Sequence, residues 1–81
     1  MTDDIRTALK AYLTNDILND PDYPLGDEEA LISSGLIDSF SLVDIALWVE
    51  GHYGVRIDDS QLTADNFDTI SAFADYIVAN R

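Results

Sequence analysis

Ser39, His52 and sixteen carboxylates are the groups in this 81-residue chain from which chemistry could be built. Ser39 stands in Gly35-Leu36-Ile37-Asp38-Ser39-Phe40-Ser41, where loop-like sequence gives way to an apolar run. Gly35 lets the chain turn sharply there. Either Asp38 or Ser39 could cap the helix that follows, because a short oxygen-bearing side chain accepts a hydrogen bond from a free N–H of the first turn. A serine nucleophile would need a base within hydrogen-bond reach. The only histidine is thirteen residues further along the same predicted helix, or about 20 Å at about 1.5 Å per residue. No cysteine offers an alternative nucleophile or a thiolate ligand. Ser-His hydrolysis is thereby excluded, and His52 reads as a surface or helix-end residue.

The carboxylates do not make a calcium loop either. Asp20-Pro21-Asp22 opens like an EF-hand, which requires glycine at its sixth position and glutamate at its twelfth. Counting from Asp20, those positions hold Leu25 and Leu31. Asp58, Asp59 and Ser60 are no better spaced, so no metal site is expected. Paired carboxylates for acid–base work need a cleft, and a bundle this small leaves little volume for one. What remains is a hydroxyl that is acted upon: a serine at a helix start, beside Asp38, Asp44 and Glu50, suited to covalent modification by a visiting enzyme.

Sixteen Asp and Glu against four Lys and Arg give a net charge of −12. Such a charge repels phosphates and anionic membranes, so nucleic acid and lipid surfaces are poor partners, while proteins with basic patches are good ones. The longest nearly apolar run, Leu42 to Val49, carries Asp44 and is far shorter than the ~20 residues of a membrane span. Met1-Thr2-Asp3-Asp4 lacks the basic start of a secretion signal. The expectation is one soluble, cytoplasmic, monomeric domain over residues 1–81, held together by packing of its 47% hydrophobic residues.

The elements that would position Ser39 follow from the periodicity. Ile5, Leu9, Tyr12, Leu13 and Ile17 recur at helical spacing and predict a first helix over 4–18, with Arg6, Lys10 and Asp16 off the stripe. Asp3 and Asp4 suit the positive end of its dipole, and Asn19-Asp20-Pro21 stops it. Residues 19–37 form a long connection pinned by Leu25, Leu31, Ile32, Leu36 and Ile37, with a helical turn expected at Asp27–Ile32. The second helix is expected from Ser39 to His52. Leu42, Ile45 and Val49 form its core face, while Ser39, Val43, Ala46 and Leu47 define a second face, with Glu50 on it and Asp44 at its edge. This is more apolar surface than one core stripe needs. At Phe40 and Trp48 the excess reads as cover for the loop or other helices; at Val43 and Leu47, beside acids, it reads as a protein-binding surface. Gly51 weakens the helix end and Tyr53-Gly54 closes it. Val55-Arg56-Ile57 is an extended connector without an evident strand partner. Asp58, Asp59 and Ser60 could cap a short turn, and Asp68 or Thr69 caps a last helix bearing Ile70, Phe73, Ala74 and Ile77.

Set in that order, the chain resembles the acyl carrier protein family over nearly its whole length. Gly-Leu-Ile-Asp-Ser-Phe at 35–40 is similar to the family's Asp-Ser-Leu attachment motif. Tyr53-Gly54-Val55-Arg56-Ile57 and Asn66-Phe67-Asp68-Thr69-Ile70 resemble the segments that follow the family's second helix and open its last one. The resemblance implies an all-α four-helix bundle of three main helices and one short one, with a long first loop. It implies that Ser39 carries 4′-phosphopantetheine, transferred from coenzyme A by a separate transferase, and that the arm bears an acyl or aminoacyl thioester. It implies docking by partner enzymes with basic patches (the transferase, a loading ligase and downstream synthases) at Asp38, Phe40, Val43, Asp44, Leu47, Glu50 and Asp59. The chain itself would catalyse nothing. Phe40 replaces the usual leucine, and Ser41 and Gly51 stand where acids are common, which points to a dedicated pathway. The absence of a glycine pair before the serine leans toward acyl over peptidyl carriers. The start at Met1 and the family-like length suggest a free-standing protein. The competing reading is an acidic helical interaction module that is never modified.

Overall fold

A computed structural model describes residues 2–81. Met1 lies outside the described residues, as do the side chains of Thr2 and Asp3, so the dipole role expected of Asp3 is outside them too. The described residues form three α-helices and no strand: α1 (Thr2–Tyr12), α2 (Ser41–Tyr53) and α3 (Ile70–Asn80). A π-helical turn, Leu13–Ile17, continues α1, and a single 3-10 turn, Asp59–Gln61, lies between α2 and α3. That single turn is all there is of the short fourth helix. Among the described residues no helix is long and apolar enough to cross a membrane.

The apolar stripes converge on one core. Ile5, Leu9 and Leu13 from the first helix meet Leu42, Ile45 and Val49 from α2 and Ile70, Phe73, Ala74 and Ile77 from α3. Leu13 is helical but belongs to the π turn, in which the Leu18 N–H reaches back five residues to the Leu13 carbonyl at 2.8 Å. The widened turn ends at Asn19, which takes a left-handed φ of 55°, a conformation asparagine tolerates better than most residues. Asp20 N–H then bonds the Thr14 carbonyl at 2.7 Å, and Pro21 prevents further winding.

The long connection is held as expected at Leu25, Leu31 and Ile37, which are buried, and at Ile32 and Leu36, which are half-buried. The expected helical turn at Asp27–Ile32 is replaced by separate turns around 27–28 and 32–35. The reason is competition: Leu31 N–H bonds the Asp68 carbonyl across the molecule at 2.7 Å, not a carbonyl in its own segment. Gly35, at φ 81°, makes the second turn, with its N–H on the Ile32 carbonyl at 3.0 Å. Glycine, having no Cβ to press on the backbone, enters that region without strain.

Val55-Arg56-Ile57 is a connector with Val55 and Ile57 buried and Arg56 exposed. Gly54 closes α2 with φ 68° and its N–H on the Glu50 carbonyl at 2.9 Å. At the start of α3 the alternatives are resolved. Thr69 is the cap, accepting from Ala72 N–H at 3.1 Å, and the Asp68 side chain turns to the loop instead.

Candidate functional site

Ser39 is not the first residue of α2. Ser39 and Phe40 form a turn, and the α-helix begins at Ser41, two residues later than the periodicity indicates, and ends at Tyr53. Asp38 is the reason. Its carboxylate Oδ1 accepts from Ser41 N–H at 3.1 Å and from the Ser41 hydroxyl at 3.2 Å. The Asp38 carbonyl also accepts from Ser41 N–H, and the Ser39 and Phe40 carbonyls accept from Leu42 and Val43 in i+3 fashion. The capping task thus falls to Asp38. The Ser39 side chain is exposed, and its hydroxyl has no hydrogen-bond partner among the described residues.

Beside Ser39 lies an open cleft of about 550 Å³. Ile17, Leu18, Ile32, Leu36 and Ile37 form its apolar wall, with Asp38, Ser39 and Ser41 at its edge. On the other side of Ser39 runs an apolar ridge. Phe40 is 82% exposed, Val43 47% and Leu47 64%, and their spacing of three and four residues places them on one face. Phe40 therefore covers neither the loop nor another helix, which corrects that expectation. Its turn precedes the helix proper, so its ring points away from the bundle. Trp48 does cover a neighbouring helix: it is half-buried and stacks on Tyr12 with ring centres 4.9 Å apart. Ala46 is only 8% exposed and joins the core face, because it lies four residues after Leu42 and three before Val49 on the same side of the helix. The ridge is thus Phe40, Val43 and Leu47, with Asp44 and Glu50 exposed along it.

Past Leu47 and Glu50, α2 borders a groove of about 660 Å³ shared with Arg56, Asp58 and Asp59. This brings Asp59 to the same side as Val43, Leu47 and Glu50, although it is distant in sequence. No hydrogen bond or ion pair engages the carboxylates of Asp44, Glu50, Asp58 or Asp59 among the described residues. Arg56 in that groove escaped the sequence reading, which saw only a residue of an extended connector. No group of His, Cys, Asp and Glu that could hold a metal occurs among the described residues. His52 is exposed near the helix end, its ring 4.3 Å from that of Trp48 and its Nδ1 3.1 Å from the Trp48 carbonyl.

The arrangement suits attachment. An exposed, unbonded hydroxyl can be approached from solvent, with the cleft on one side of it and the ridge on the other. The family model for the phosphopantetheine attachment site matches residues 8–77, most of the chain. The chain belongs to the phosphopantetheine-attachment family. It is a phosphopantetheine carrier, and 4′-phosphopantetheine is the group that such domains bear. A comparison with curated proteins gave no match. The carrier's function requires partner enzymes, since domains of this family generally present cargo and leave the chemistry to others.

The carrier's loop is held by polar ties that the sequence did not announce. Asp27 forms ion pairs with Arg6, at 3.0 Å, and with Lys10. Those two cations hold its carboxyl below the usual carboxylate range, Lys10 chiefly and then Arg6. Ser71 donates its N–H to the Asp27 carbonyl at 3.1 Å and its hydroxyl to Glu28. The Tyr23 hydroxyl and Gly26 N–H both donate to Glu29 and lower its carboxyl in that order. Asp68 accepts from Ile32 N–H at 2.7 Å, Ser33 N–H at 3.0 Å and the Ser33 hydroxyl at 2.6 Å. Hydrogen bonding by Ser33, first through its hydroxyl, holds the Asp68 carboxyl below its ordinary value.

Proposed function

We propose that this carrier is an acyl carrier protein whose attachment point is Ser39. The observation that carries the reading is the hydroxyl itself, exposed and unbonded at the entry of α2, in a chain of the attachment family. In the modification, the Ser39 oxygen gives up its proton and bonds to the phosphate of the phosphopantetheine portion of coenzyme A. The pyrophosphate bond breaks and adenosine 3′,5′-bisphosphate leaves. When bound, the arm supplies a terminal thiol that holds acyl or aminoacyl cargo as a thioester. This is how a chain without cysteine takes part in thioester chemistry.

The rest of the work is done by the protein's own side chains. Asp38 fixes the first turn of α2, so that Ser39 is presented from a rigid element. Phe40, Val43 and Leu47 offer apolar contact, and Asp38, Asp44, Glu50 and Asp59 steer basic partners to it. The partners are a phosphopantetheinyl transferase, an acyl- or aminoacyl-loading ligase and downstream synthases or transferases. The carrier acts as a monomeric, cytoplasmic single domain over residues 1–81, without catalysis of its own. The missing glycine pair before Ser39 favours acyl over peptidyl cargo.

Intact mass after incubation with coenzyme A and a promiscuous transferase tests the reading. Wild type should gain one phosphopantetheine, and Ser39→Ala should gain none while keeping its helical spectrum. Modification of Ser39→Ala would move the site elsewhere. An unmodified wild type would favour the acidic interaction module.

A further inference from the structure

Seven residues before Ser39 the chain is bolted to the other end of the molecule. The Asp68 carboxylate takes three hydrogen bonds from Ile32 and Ser33, and the Asp68 carbonyl takes a fourth from Leu31 N–H at 2.7 Å. Asp68 immediately precedes the cap of α3, so its own backbone is anchored by that helix. From Ser33 onward the link to Ser39 is short and internally tied. Gly35 N–H bonds the Ile32 carbonyl, and Ile37 N–H bonds the Leu31 carbonyl, each at 3.0 Å. Leu31 and Ile37 are buried on either side of this small loop. Ser39 is thus fixed from two directions: by Asp38 onto α2 and by Asp68, through residues 31–37, onto α3.

We propose that Asp68 is a positioning residue for the modification of Ser39, acting as a latch that holds the 31–37 loop and so sets the approach of the Ser39 hydroxyl. The inference rests on Ser39 being the attachment site, but the latch itself does not depend on it. Charge-assisted bonds to two adjacent N–H groups and a hydroxyl are stronger and more directional than neutral ones. One carboxylate therefore defines where the loop lies. The docking ridge on α2 is built from other residues, so loss of the latch should leave an enzyme able to bind the carrier while its target oxygen wanders.

The test compares Asp68→Ala and Asp68→Asn with Thr69→Ala, which removes the neighbouring cap of α3, a hydroxyl bonded to Ala72 N–H and to no group of the loop. Backbone amide exchange is followed by NMR, and transferase kinetics are measured at a temperature where circular dichroism shows each variant folded. Asp68→Ala should speed exchange at Ile32, Ser33 and Gly35 and on to Ser39. It should lower kcat roughly tenfold with KM little changed, since small misplacements of a reacting group carry penalties of that order or more. Asp68→Asn should fall between it and wild type, and Thr69→Ala should lower thermal stability without altering loop exchange or kcat. Wild-type kcat in both Asp68 variants, or an equal fall of kcat in Thr69→Ala, would overturn the proposal. Should Asp68→Ala not fold, Asp68→Asn and Ser33→Ala decide it: unchanged exchange and kcat in both would refute the latch. If wild type takes up no phosphopantetheine, the Ser39 reading falls, and exchange alone decides whether the latch holds the loop.

Discussion

Two sets of acids in this carrier have opposite fates. Asp27, Glu28, Glu29 and Asp68, in the long loop and at the entry of α3, are each engaged by a side chain or N–H of the same molecule. The carboxylates of Asp44, Glu50, Asp58 and Asp59, along α2 and the 3-10 turn, have no hydrogen-bond or ion-pair partner among the described residues. The apolar groups divide in the same way. Leu25, Leu31 and Ile37 of the loop are buried, whereas Phe40, Val43 and Leu47 are three of the four large hydrophobic side chains that stand exposed among the described residues. The loop uses its charge and its apolar side chains to hold itself still. The α2 ridge leaves both toward solvent, and the proposed docking surface rests on that combination. Of the four cationic side chains, Arg6 and Lys10 are both committed to Asp27, and Arg81 lies over the Tyr53 ring. Few positive groups remain to neutralise the ridge.

This contrast can be broken at either side. The largest effect on stability should come from Leu31→Ala, because Leu31 is fully buried beneath the loop. Large-to-small changes at such sites cost about 2–5 kcal/mol, and a chemical denaturation midpoint would read the loss. On the ridge, Asp44→Lys with Glu50→Lys should do the reverse. Stability should change by no more than ~0.5 kcal/mol per substitution, while stopped-flow or mass-resolved rates of phosphopantetheine transfer fall severalfold. Equal rates in the double variant would remove these acids from the docking surface.

A smaller effect concerns acid. Asp68, Asp27 and Glu29 are depressed in the folded protein. A depressed carboxylate stabilises the fold above its unfolded value, near ~4, and loses that contribution as pH falls through the folded value. Asp68→Asn should therefore cost stability at neutral pH and converge on wild type in strong acid. Thermal midpoints of the two proteins across that range give the difference directly, which cancels the general relief of charge repulsion on acidification. A gap that persists unchanged into strong acid would mean that ionisation of Asp68 does not hold the loop. The smallest effect is expected from salt. At a net charge of −12, screening by moderate salt or divalent cations should raise the thermal midpoint by a few degrees, and a flat response would speak against net repulsion.

Much of this carrier was legible before any coordinates. Helical periodicity identified most of the core residues of the three helices, because 3.6-residue spacing is a local property that survives in the letters. The turn at Gly35, the closure at Gly54 and the stop at Asn19-Asp20-Pro21 were likewise local, each set by one residue's allowed backbone angles. The serine at position 39 stood out because enzymatic alternatives needed partners that the composition lacks.

Tertiary structure decided what depended on distant segments meeting. Periodicity could not tell that Ser39 and Phe40 precede the helix, since the Asp38 cap moves the boundary by two residues without changing the pattern. It could not tell that Ala46 faces the core and Phe40 the solvent, or that Arg56 and Asp59 join Glu50 in one groove. The pairings of Asp27 with Arg6 and Lys10, and of Asp68 with Ile32 and Ser33, span 17 to 36 positions. Hydrogen bonds and ion pairs over such separations leave no periodic trace in a chain, because any of sixteen carboxylates could have made them. Only the packing of α1 and α3 around the loop selects which ones do.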